Sequence, residues 1–150
     1  MTTKAGLIAA ASHALQNGPQ LFARVEDGGV VIGGRGGEVV PDSTGLYAVV
    51  AQDPDAARAE LRLDTSVSRS DVLYIGKAEG SLRARLERKH FAGGGTAHST
   101  LRRTLAALLV DRLDLEPVAV ASAGRFSLTP ESGEQLTTWM RRHLAVRVWQ

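Results

Sequence analysis

Apolar and polar positions divide the chain into helical and extended stretches. Leu7, Ile8, Ala11 and Leu15 recur at helical spacing and predict a helix over residues 4–16, stopped by Asn17-Gly18-Pro19. "QLFARVEDGGVVIG" reads as short strands joined by a hairpin-type turn at "EDGG". "GGRGGE" lacks the Lys-Ser/Thr of a phosphate loop and no helix opens after it, so it predicts a flexible turn. "TGLYAVVA" (44–51) is an unbroken apolar run and predicts a buried strand. "DPDAARAELRL" (53–63) fits a helix or a solvated loop, and "DTSVSRSD" is a loop. "VLYIG" (72–76) predicts a second strand, with Gly76 as a tight turn that lets the backbone approach a substrate.

The second half is more helical. From Ser81 to Phe91, Leu82, Leu86 and His90 fall on one face, and "AGGGT" then breaks the pattern. "HSTLRRTLAALLVDRL" predicts a helix with a core stripe of Leu101, Leu105, Leu108 and Leu109. "PVAVASAGRFSLTP" predicts one or two strands. "PESGEQLTTWMRRHL" predicts a helix with Leu136, Trp139, Met140 and Leu144 inward, and "AVRVW" (145–149) a final strand. His13 and His143 read as surface or packing residues, and Arg102-Arg103 and Arg141-Arg142 as solvated pairs.

Composition narrows the classes. A chain of 150 residues with 43% hydrophobic and 23% charged positions is expected to form one soluble domain with a real core. No apolar run reaches the length of a membrane span, and the short apolar run near the N-terminus reads as the start of the fold rather than a leader. These features point to a cytoplasmic protein. The absence of cysteine excludes disulfides, thiolate zinc sites and cysteine nucleophiles. The net charge of +2 is unevenly spread. Between Lys77 and Arg103 lie seven positive residues and only two negative ones, Glu79 and Glu87. Such a patch fits a polyanionic partner or a solvated helix face.

Gly45-Leu46-Tyr47 on one strand and Tyr74-Ile75-Gly76 on another, followed by "KAEGSLRARLERKH", resemble the GIY-YIG nuclease family over about residues 44–110. "HSTLRRTL" is similar to the helix start of its homing-endonuclease members. The resemblance implies an α/β fold of the α+β type, with a small, mainly antiparallel sheet flanked by helices. It also implies hydrolysis of a DNA phosphodiester with a single divalent ion, magnesium or manganese. Carried over by position, Tyr47, Tyr74, Arg85 and His98 become catalytic candidates. Arg85 aligns because "LRARL" matches the family's Leu-x-x-Arg-Leu step after one extra residue. Gly76, Lys77, Arg83, Arg88, Lys89 and His90 become candidates for holding the substrate.

Residue chemistry fits that reaction. Hydrolysis needs a deprotonated water, a neutralised phosphate and help for the leaving oxygen. A phenol with a free pKa near 10 is a poor base unless positive charge stabilises its anion, and arginine presents a planar fork suited to phosphate oxygens.

The chain departs from the family in two places. Twenty-six residues separate Tyr47 from Tyr74, wider than usual, so residues 52–70 read as an insertion at the sheet edge. The family's metal-binding glutamate follows the last sheet strand, and here "AVRVW" ends one residue before Gln150. The expected carboxylate then lies beyond Gln150, or Glu134 replaces it with Glu131 behind. Residues 1–43 read as an extension packing on a 44–150 domain. Besides an endonuclease, the residues allow a nucleic-acid-binding module that no longer cleaves, or a fold turned to a small phosphorylated molecule. DNA is the expected partner, with no membrane.

Overall fold

The computed structural model describes residues 21–26, 29–33, 38–63, 71–92, 95–121 and 124–149. The helix expected over 4–16, His13, most of the "GGRGGE" turn and the loop after Leu63 lie outside them. The strands are β1 (Leu21–Glu26), β2 (Gly29–Gly33), β3 (Glu38–Val39), β4 (Gly45–Ala51), β5 (Val72–Ala78), β6 (Pro117–Ala119), β7 (Phe126–Leu128) and β8 (Leu144–Trp149). The helices are α1 (Pro54–Leu61), α2 (Ala84–His90), α3 (Thr100–Leu109) and α4 (Pro130–His143), with a 3₁₀ turn at Thr96–His98. This is an α+β fold, as the sequence predicts.

Six strands form one antiparallel sheet in the order β3-β2-β1-β8-β4-β5, and β6 and β7 make a separate hairpin. The final strand of the sequence lies inside the sheet. Val146 of β8 pairs with Ala23 of β1 on one side and Val49 of β4 on the other. β4 therefore has neighbours on both edges, and its last five residues are all buried. An apolar run without alternation is what a strand covered on both faces requires.

One face of the sheet carries the main core, in which Tyr47, Val49, Val146 and Val148 meet Leu82, Leu86, Leu101, Leu105 and Leu136. Each fully buried leucine contributes about 1.5–3 kcal/mol. A smaller cluster of Ala48, Val50 and Ala145 lies on the opposite face. Leu108 departs from the expected stripe and is exposed on α3. Arg102, in contrast, is fully buried at helical spacing from Ala106 and Leu109 rather than solvated.

The helix ends follow local chemistry. Ser99 caps α3, accepting from the Arg102 amide at 3.1 Å, and Thr129 caps α4 ahead of Pro130. The sequence places α3 from His98, but the helix begins at Thr100 and His98 sits in the preceding 3₁₀ turn. In the 52–70 segment the helical alternative holds: Asp53 accepts from the Asp55 and Ala56 amides at 3.1 and 3.0 Å and starts α1. Glu60 fastens α1 to α4, accepting from Trp139 Nε1 at 2.5 Å and pairing with Arg112 at 3.1 Å. His143 stacks on Trp139 with ring centroids 4.8 Å apart, a packing role as expected.

Candidate active site

Tyr47 and Tyr74 reach each other through strand register. In the β4–β5 ladder Tyr47 lies opposite Gly76 and Val49 opposite Tyr74. The two tyrosines are thus diagonal neighbours on one face, within aromatic reach, and their ring centroids lie 6.1 Å apart. Gly76 does not end the strand, which continues to Ala78, and it is not a turn residue. Its role is steric: a Cβ there would run into the Tyr47 hydroxyl. The Tyr47 ring lies across the vacant side of Gly76.

The winding of α2 brings the remaining groups in. Leu82 and Arg83 begin the helix, their amides donating to the Ser43 and Pro41 carbonyls at 2.8 and 3.2 Å. From Ala84 to His90 the helix is π-wound, and the Phe91 amide closes it on the Leu86 carbonyl at 2.9 Å. Residues five apart in a regular α-helix point about 140° away from each other. The wider turn instead lets Arg85 and His90 address the same hydroxyl. His90 Nε2 lies 2.6 Å from the Tyr47 hydroxyl, and the Arg85 guanidinium lies close enough to act on the same hydroxyl. Tyr74 stands edge-on to the His90 ring, with centroids 6.1 Å apart.

Ser99 and Arg102 fix His90. Its Nδ1 lies 2.8 Å from Ser99 Oγ, which also accepts the Arg102 amide. With Nδ1 protonated and donating to Ser99, Nε2 is left to accept the Tyr47 proton. The Arg102 guanidinium donates to the His90 carbonyl and Thr137 Oγ1, both at 3.0 Å, to the Gly133 carbonyl at 3.0 Å and to Thr96 Oγ1 at 3.3 Å. It bolts the end of α2 to α4. Ser99 and Arg102 were missed as site residues. Their signals were present in the helix-start serine and in the spacing of Arg102 to Ala106 and Leu109.

Burial sets the charge states. Tyr47 is held up at about 12 by desolvation, with the Arg85 hydrogen bond pulling the other way. His90 is depressed to about 4, first by burial and then by the positive charges of Arg85, Arg102 and Lys89. Both shifts favour the neutral pair, so Tyr47 keeps its proton in the resting site. A phenolate forms here only when further positive charge arrives. Tyr47 is wholly buried, and Tyr74 is the more accessible phenol.

The other candidates are dispersed. A cavity of about 330 Å³ opens beside the cluster, lined by Lys77, Glu79, Ser81, Arg85 and Lys89. Lys77 pairs with Glu79 at 2.6 Å on its rim. Arg83 is occupied by the Val40 carbonyl at 3.0 Å. Arg88 and His98 face a second basic cavity, which Lys89 shares. Glu134 lies with Glu131 in a third cavity, beside Trp139 and His143.

The donors do not fit a metal cage. Among the described residues no group of three or more acids and imidazoles could hold an ion. Among the described residues Glu79 is the one carboxylate lining the Arg85 cavity, and Lys77 occupies it.

No helix among the described residues is long and apolar enough to cross a membrane. No curated protein and no solved structure matches the chain. One family model does match, that of the GIY-YIG catalytic domain, over residues 45–150.

Proposed function

The chain belongs to the GIY-YIG family, a nuclease-type domain with nucleic acid as its substrate, and from that premise we propose that it is a metal-dependent DNA endonuclease. The observation that carries this reading is the convergence of Arg85 and His90 on the Tyr47 hydroxyl beside a basic cavity. Arg85 receives the scissile phosphate. Its Nε is a buried donor with no hydrogen-bond partner, a costly condition that an incoming phosphate oxygen relieves after a small rotation of the guanidinium. Tyr74, the more accessible phenol, meets the attacking water. Behind it the neutral Tyr47–His90 hydrogen bond holds the hydroxyl in place, with His90 held by Ser99 and Arg102. The phenolate able to take the water's proton arises only when added positive charge reaches the site. Magnesium or manganese belongs to this reading as a family requirement, and the steps assigned to Tyr47, Tyr74, Arg85 and His90 do not run through it.

A nucleic-acid-binding module that no longer cleaves is the second reading. It is favoured by the missing donor set among the described residues, with Glu134 turned toward the Trp139 cavity. Nicking of supercoiled plasmid, in magnesium or manganese against chelator, separates the two. Metal-dependent nicking supports the endonuclease. Plasmid binding without nicking supports the binding module. Neither binding nor nicking removes both and leaves a small phosphorylated substrate.

A further inference from the structure

The basic patch of the sequence has a second centre away from Arg85. A cavity of about 450 Å³ opens between α2, the start of α3 and the β6–β7 hairpin. Arg88, Lys89, His98, Thr100, Arg103 and Arg125 line it, and among the described residues no carboxylate does. Four permanent positive charges thus face one space. Elsewhere three cations are matched by carboxylates: Lys77 by Glu79 at 2.6 Å, Arg112 by Glu60 at 3.1 Å and Arg147 by Asp71 at 2.6 Å. Arg103 is oriented by a neutral acceptor, donating to the Ala97 carbonyl at 2.6 Å, which leaves its charge uncompensated. Gathering like charges opposes folding unless a ligand offsets the repulsion. Arg125 comes from a hairpin distant in sequence, so the fold adds to the patch rather than inheriting it from the run between Lys77 and Arg103.

We propose that this cavity is a second phosphate-binding site, which grips the backbone of the nucleic-acid strand beside the bond held at Arg85. The inference rests on the nuclease reading. Lys89 lines both cavities, so they adjoin, and one polyanion can occupy them together. Among the described residues no Phe, Tyr or Trp lines the second cavity to stack a base. The contact is therefore to phosphate, gives affinity and register, and is indifferent to sequence.

The test is fluorescence anisotropy with a labelled duplex of roughly 20 base pairs and its single strand, in chelator, between about 50 and 200 mM salt. Wild type is compared with Arg125→Ala and with Arg142→Ala, an exposed arginine of α4 outside this cavity. Arg125→Ala is expected to weaken binding about three- to tenfold and to flatten the slope of log affinity against log salt by about 0.9, the loss of one phosphate contact. Arg142→Ala is expected to leave both unchanged, and unaltered melting temperatures confirm that both variants fold. An unchanged slope in Arg125→Ala, or equal losses in both variants, overturns the pocket while wild-type binding keeps the nuclease reading intact. Wild-type protein that binds neither nucleic acid removes the nuclease reading and the pocket with it.

Discussion

Tyr47 meets Gly76, His90, Tyr74 and Arg85 at once, and each neighbour constrains it differently. Gly76 clears space for its ring, His90 holds its hydroxyl at 2.6 Å, and Arg85 supplies positive charge. His90 is kept neutral by this burial, which ties it to stability. Its folded pKa of about 4 lies below the ordinary value of 6.5. The unfolded chain thus binds the proton more readily, so His90 stabilises the fold fully above pH 6.5 and loses that contribution as pH falls toward 4. Stability is expected to fall by about 3 kcal/mol across that window, and His90→Gln to remove most of the dependence. Urea unfolding of both proteins at several pH values checks it, and identical pH profiles contradict it. At this scale the sequence was partly legible. The triplets marked both tyrosines. A glycine that serves a cross-strand ring looks in one dimension like a glycine in a turn, and only the register of β4 on β5 separates the two.

Helix α2 carries Arg85 and His90, and Arg102 ties its end to α4. The Leu82, Leu86 and His90 face was visible in the pattern and is buried as expected. The π winding was not, because i→i+5 bonding leaves no periodic signature over seven residues. That winding lets Arg85 and His90 share one hydroxyl. Arg102 then fixes the His90 carbonyl against Gly133 and Thr137 of α4. Arg102→Met keeps much of the apolar volume but leaves these acceptors unsatisfied. It is expected to cost about 3 kcal/mol or more and to lower cleavage through misplacement of His90. Chemical denaturation measures the first, and cleavage by the residual folded fraction the second. A variant as stable as wild type contradicts the clamp. Arginine reads as solvated because its charge outweighs its helical position in any sequence-based reading, and four oxygen acceptors from other elements reverse that.

The whole molecule is organised around β4 and β8. The sequence showed both as apolar strands. It could not show that β8 enters between β1 and β4, because strand order depends on pairings more than a hundred residues apart. The wide spacing between the triplets is taken up in part by α1, which Glu60 anchors on Trp139, and the β4–β5 register shifts only between Val49 and Val50, on the insertion side of the tyrosine pair. Positive charge then gathers in two adjoining cavities sharing Lys89, one beside the tyrosines and one under the β6–β7 hairpin. The central claim is that the Tyr47 hydroxyl, held by Arg85 and His90, takes part in breaking a phosphodiester. Tyr47→Phe tests it most directly, since it removes one oxygen and keeps the ring across Gly76. Cleavage rate and DNA affinity are measured on the same preparation, in magnesium or manganese. A fall in cleavage of at least about 100-fold with affinity unchanged is expected. Cleavage at the wild-type rate, or equal loss of cleavage and affinity, contradicts the claim.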